Sequence, residues 1–240
     1  MPLNTRLNFI LPFAIGVSLF GLFTTLMFAF YPSLAIQDNF LWRKPLIGLL
    51  FTLICVFGIA AVFFPQKCSE TSHSQQTEKQ PILETENRNF HEISINFKGH
   101  HPDCGRFSAH VAKIKGHVFC AACTGLLFGA FIALTATALY FFAEWNVVGV
   151  GLPAVLVGQI GVLLGFVQFK FKSHFRLAVN AFFVFACFLT LAGIDKLAES
   201  IFIDLYVIAL IIFWLLTRIL ISQWDHWKIC HTCKRSCKLK

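Results

Sequence analysis

Charge is what this sequence has least of. Asp, Glu, Lys and Arg together make up 13% of its 240 residues, about half the ~25% usual in soluble domains. Acidic residues are the scarcer kind, 12 against 20 basic ones. Tyrosine (3) and methionine (2) are few, while phenylalanine occurs 29 times and apolar residues reach 57%. There is no long internal repeat. These shortages exclude a soluble globule with an ordinary polar surface, and they exclude a repeat array. What remains is an integral membrane protein.

The apolar runs are continuous rather than alternating, which argues against a membrane barrel. Helices are expected instead, because a helix satisfies its own backbone hydrogen bonds in lipid. Six runs approach the ~20 residues a span needs. They are Phe9–Phe30, Pro45–Phe64, Thr124–Phe142, Val147–Phe169, Leu177–Ile194 and Ile201–Ile221. The expected fold is therefore an all-α integral membrane protein of about six transmembrane helices, in contact with the lipid bilayer. Arg6 before the first run and the small-x-small Ser33-Leu34-Ala35 after it fit a signal peptide, but its apolar core exceeds the ~7–15 residues of such a segment. It is read as a span. Few residues join spans three and four, which predicts an antiparallel hairpin. Gly125 and Gly129 in one, and Gly161 and Gly165 in the other, are spaced for close helix approach. Trp42, Trp145, Trp224 and Trp227 fall near span ends, as an interfacial belt does.

Ionisable groups are also missing from the middles of the spans. Gln159 and Asn180 are uncharged, and Asp204 and Arg218 sit near opposite ends of the last run. A proton-coupled pump needs ionisable groups at depth and is not expected. No histidine is placed to hold a haem in the bilayer. Cys55 and Cys187, inside spans, read as packing residues. Cys68, at a span end, is read as acylated or inert.

Of the 20 Lys and Arg residues, all but Arg43, Lys44 and Lys196 fall on the side of the N-terminus. The positive-inside rule then places both termini and the long loop after span two in the cytosol, in a cell (inner) membrane. The net charge of +8 reports this topology and gives no ground for nucleic acid as a partner.

The chain divides into two spans (1–64), a polar linker (65–98), a Cys/His module (99–123), four spans (124–221) and a basic Cys-rich tail (222–240). The linker is poor in apolar residues and reads as flexible. The stretch "HEISINF" alternates and suits a short strand. "HVAKIKGHVFC" suits two more around a turn at Gly116.

The module holds the chemistry. His101-Pro-Asp-Cys104 and Cys120-Ala-Ala-Cys123 are two x₂ pairs, a zinc-type spacing with one Cys replaced by His. Each x₂ turn can point two side chains at one ion, and two such turns close a tetrahedron. Gly105 and Pro102 suit the first turn. Four protein ligands leave no open position, so His101, Cys104, Cys120 and Cys123 are expected to form a structural zinc site. His110 is the best substitute ligand, while His100 and His117 read as solvated. In the tail, His226, Cys230, Cys233 and Cys237 could form a second site; a basic membrane-surface tail is the competing reading. Cys120-x-x-Cys123 at the start of span three also fits a thiol–disulfide oxidoreductase, because a helix N-terminus lowers a thiol pKa. The reducing cytosol keeps these cysteines from being structural disulfides.

The run "GHHPDCGRFSAHVAKIKGHVFCAACTGLLFGA", Gly99 to Ala130, resembles the signature of an uncharacterised prokaryotic multi-spanning membrane family, a domain of unknown function. In that family a Cys/His stretch leads through Cys-x-x-Cys-Thr-Gly into a span, and Cys120–Gly125 is the most specific part of the match. His100-His101-Pro102 before Cys104 departs from the pattern. The resemblance implies the module and no activity. The expected role is non-enzymatic: scaffolding, regulation or docking of a protein partner through the loop or tail. The alternatives are the oxidoreductase and a metal-handling or transport protein.

Overall fold

Long runs of Leu, Ile, Val and Phe fold as helices, and α1 continues through Pro12. The computed structural model describes residues 3–32, 42–63, 110–114, 117–143 and 151–232. Helix α1 is Leu3–Phe30 and α2 is Arg43–Phe63. A hairpin of β1 (Val111–Ile114) and β2 (His117–Cys120) follows, then α3 (Ala121–Thr137) with a π-helical turn at Ala138–Phe142. Helices α4 (Leu152–Phe166), α5 (Ser173–Ala198) and α6 (Ile201–Thr232) complete the order. Five of these helices are long and apolar enough to cross a bilayer: α1, α2, α3 with its π turn, α5 and α6. The chain is an all-α membrane protein.

The fourth expected span, Val147–Phe169, is not one continuous helix. Gly151 precedes α4 and Pro153 occupies its first turn, where a missing N–H does no harm. At Val167 the backbone leaves the α conformation and tightens into a 3₁₀ turn, Gln168–Lys170. The 15 helical residues rise only about 22 Å, short of a ~30 Å hydrocarbon core. Two other bounds also move. The fifth span lengthens from Leu177–Ile194 to Ser173–Ala198, and α6 runs past Ile221 to Thr232, so the first part of the tail is helical.

Helix α5 is the centre. Two-thirds (67%) of its apolar window is buried, against 28% for α1 and for α2. The glycines explain why. A β-carbon on Gly125 would strike the Leu177 carbonyl, and one on Gly129 the Ala181 carbonyl, both on α5. On α4, Gly158 faces Thr190 and Ala186, and Gly165 faces Phe183, again on α5. The close approach for which these glycines are spaced is made to α5: each set of small residues seats its helix against α5, which lies between α3 and α4. Backbone approach of this kind is what holds helices together where lipid is as apolar as the side chains.

Around α5 sit Phe51, Phe141, Phe183, Leu191, Ile194, Ile211 and Trp214, all fully buried. Polar ties cross the bundle between helices distant in sequence. The Ser18 and Thr217 hydroxyls are 2.9 Å apart, Gln159 Nε2 donates to the Leu22 carbonyl at 2.8 Å, and Trp214 Nε1 donates to the Ser18 carbonyl at 3.3 Å. Such bonds contribute about 0.6 kcal/mol each on average.

Candidate functional site

Two clusters of buried polar groups lie at opposite ends of α5. The first gathers under the hairpin. The strands pair antiparallel, Val111 opposite Cys120 and Ile114 opposite His117, as the alternation around Gly116 predicts. Cys120 ends β2 and caps α3 with extended backbone (φ −69°, ψ 114°). Cys123 then falls in the first helical turn, and its thiol hydrogen-bonds the Cys120 sulfur. That bond lowers the Cys120 thiol to about 6; burial opposes it, while the Ala122 and Cys123 backbone N–H groups and the Arg176 charge act in the same direction.

Beneath the pair lie two guanidinium groups. Arg218 of α6 is buried; its Nε donates to Asn180 Oδ1 at 3.0 Å and its Nη2 to the same oxygen and to Gln168 Oε1 at 3.3 Å. Asn180 is itself fixed by its Nδ2, which donates to the Arg176 carbonyl at 2.6 Å. Arg176, 1% exposed, reaches His110 Nε2 with Nη1 at 3.2 Å and Asp225 Oδ2 with Nη2 at 3.5 Å. Burial, with the charges of Arg176 and His226 nearby, holds His110 down at about 3, so it is neutral and its Nε2 can accept from Arg176. The His110 and His226 rings meet edge to face, 5.0 Å between centroids.

The second cluster lies at the other end of α5. Glu199 adopts a left-handed conformation (φ 47°) that ends α5. Residue types other than glycine rarely tolerate this. The chain reverses across Glu199 and Ser200, and Asp204 returns beside Asp195. Arg43 Nη1, from the first turn of α2, donates to Asp204 Oδ2 at 2.6 Å and stands 2.7 Å from Asp195 Oδ1. The π turn brings in Tyr140, whose hydroxyl lies 2.9 Å from Asp195 Oδ2. Both carboxylates are 0% exposed.

Of the expected zinc ligands, Cys120 and Cys123 are brought together, while His101 and Cys104 lie outside the described residues. His110, the substitute ligand, stands with Arg176 and His226. Of the tail set, His226 is on α6 against the hairpin, Cys230 is within α6, and Cys233 and Cys237 lie outside the described residues, as do Cys68, the linker and "HEISINF". Among the described residues, no three His, Cys, Asp or Glu side chains are grouped to hold a metal ion. The sequence reading missed the arginines: Arg43, Arg176 and Arg218 were counted as topology signals, yet all are buried and partnered. The available signal was Asp195 and Asn180 inside an otherwise apolar helix, since polar groups there require partners. Comparison with protein-family models, with curated proteins and with solved structures finds no match to this chain.

Proposed function

We propose that the hairpin end is a structural zinc centre that fastens the loop between α2 and α3 onto the helix bundle, and that the protein serves as a cytosol-facing scaffold or docking platform. The observation that carries this reading is the charge beneath the cysteine pair. Among the described residues, Arg176 pairs with the Asp225 carboxylate while Arg218 is held by the neutral amides of Asn180 and Gln168, and buried charge needs a counter-charge. Zinc held by His101, Cys104, Cys120 and Cys123 carries three thiolates against a dication. Its net charge of about −1 offsets the unmatched guanidinium. The hairpin supports the reading too, because it delivers Cys120 and Cys123 to one helical turn. A segment this small and polar gains its folding energy from a metal more readily than from a core. The likeness of Gly99–Ala130 to the Cys/His signature is in keeping with this, as is the cytosolic side assigned by the basic residues.

The test is metal analysis of the purified full chain. The expected result is about one zinc per chain, lost equally in Cys104→Ser, Cys120→Ser and Cys123→Ser. Full zinc content in Cys104→Ser would remove that residue from the centre and break the tetrad.

The hydrogen bond between the two thiols favours a second reading, thiol–disulfide exchange. The Cys120 thiolate attacks a disulfide of a partner protein, one partner thiolate leaves, and a mixed disulfide forms. The Cys123 thiolate then displaces the second partner sulfur. Two electrons have passed to the partner, and Cys120 and Cys123 are left as a disulfide. This reading needs no metal and no contribution from Cys104. A trapped mixed disulfide in Cys123→Ser, in protein free of zinc, would establish it in place of the first.

A further inference from the structure

The turn between α4 and α5 has a buried side and an open side. Gln168 is buried and accepts from Arg218. Beyond it the side chains alternate: Lys170, Lys172 and His174 are exposed, while Phe169, Phe171 and Ser173 are half-buried. The backbone fixes this pattern. Lys170 N–H donates to the Val167 carbonyl at 3.0 Å, and Phe171 N–H to the Gln168 carbonyl at 3.1 Å. Phe171 and Lys172 are extended (φ −99°, ψ 151° and φ −106°, ψ 145°). Lys170 and Lys172 therefore rise from one side, with α-carbons about 7 Å apart.

Aromatic contacts pin the turn to its neighbours. Phe169 meets Trp224 of α6 edge to face at 6.2 Å, and Phe171 meets Phe175 at 4.7 Å. Lys228 stands 5.2 Å from the Trp224 ring centre, which brings a third ammonium to this level. The described carboxylates are directed elsewhere. Asp225 faces Arg176 and His110, while Asp195, Glu199 and Asp204 are at the far end of α5. Helix α4 has no ionisable side chain. Among the described residues, neither Lys170 nor Lys172 takes part in an ion pair.

Below the lysines, α4 exposes Leu156, Val157, Ile160 and Leu163. Their i, i+1, i+4, i+7 spacing makes one stripe along the helix, which ends about two turns before Lys170. A cationic rim above an apolar stripe matches the two halves of a phospholipid. We propose that this flank binds one anionic phospholipid, its phosphate held by Lys170 and Lys172 and its acyl chains laid along the α4 stripe. Basic groups at helix ends select such headgroups, and each ammonium offers three donors to phosphate oxygens. A zwitterionic headgroup carries its own ammonium, which the two lysines repel.

The test uses the full chain in phosphatidylcholine nanodiscs that contain a minor share of phosphatidylglycerol with a photoactivatable acyl chain. Mass spectrometry of the labelled peptides should place the label on α4 and residues 168–172. Unlabelled phosphatidylglycerol should compete it away, and phosphatidylcholine of the same chain length should not. Lys170→Gln and Lys172→Gln should each lower labelling there about fivefold, while Lys44→Gln, at the other end of the bundle, should leave it unchanged. Both lysines are exposed, so the unfolding temperature should not move; this separates lost binding from lost fold. The unaltered protein is decisive by itself. Label spread evenly over the exposed helices, or equal competition by phosphatidylcholine, overturns the proposal, whether the lysines only mark topology or are taken by the glutamates of the linker. Displacement of the lipid by inorganic phosphate alone would reassign the site to a soluble anion and overturn it as well.

Discussion

The two ends of α5 carry opposite imbalances. Among the described residues, the end under the hairpin holds two buried guanidinium groups and one ion pair, Arg176 with Asp225, while at the far end one guanidinium faces two carboxylates. Both arrangements are buried, where an unmatched charge cannot persist. The comparison teaches that a buried arginine has no fixed meaning. Arg218 is held by the neutral amides of Asn180 and Gln168. Arg43 is consumed entirely by carboxylates.

This contrast can be broken by removing each arginine in turn. Arg43→Met should be the most damaging change, because it strands two carboxylates in the core. Breaking a buried ion pair from one side costs about 3–5 kcal/mol, to be read from unfolding of the detergent-solubilised protein. Adding Asp195→Asn and Asp204→Asn to Arg43→Met should return much of that loss. If the triple variant is no better than Arg43→Met, the arginine is needed for its shape and not its charge. Arg218→Met should cost less, about 1–3 kcal/mol, since it leaves the Asn180 and Gln168 oxygens without a donor but strands no carboxylate. A loss as large as that of Arg43→Met would show the two ends to be equivalent.

The smallest effect is kinetic. In protein stripped of metal by a chelator, alkylation of Cys120 should depend on its thiolate and reach half its maximal rate near pH 6, where its hydrogen bond from Cys123 holds it. Reactivity falls below that pH as the thiolate gains a proton. Cys123→Ala should move the midpoint up toward the ordinary thiol range, and Arg176→Gln should move it the same way by less. An unmoved midpoint in Cys123→Ala would remove the hydrogen bond as the cause.

Much of the scaffold was legible. Continuous apolar runs gave five of the helices, because a chain in lipid has few other ways to satisfy its backbone. The alternation on either side of Gly116 gave the hairpin, and the x₂ spacing gave Cys120 and Cys123 as a pair at its end. The remainder depends on which helices meet. Gly125, Gly129, Gly161 and Gly165 announce a close approach, yet nothing in their spacing names the helix approached, and α5 offers alanines and a threonine rather than glycines at the contacts. Arg43, Asp195 and Asp204 each look like ordinary flanking charges in sequence. Only the left-handed turn at Glu199 and the seating of α2 against α3 and α6 make them one cluster. The π turn is likewise silent, since no proline or glycine marks Ala138–Phe142.

The placement of Arg176 and Asp195 on one rod has a consequence for where the protein can live. The two residues are about 28 Å apart along α5 at 1.5 Å per residue, close to the ~30 Å thickness of a bilayer's hydrocarbon layer. The helix thus acts as a ruler: its polar ends fall at the two headgroup boundaries only in a membrane of that thickness. The neighbouring α4, about 22 Å tall, presents Leu156, Val157, Ile160 and Leu163 on its exposed face. Its helical apolar stretch is therefore shorter than those of α3 with its π turn, α5 and α6. A helix that short matches a thinner hydrocarbon layer than its longer neighbours do.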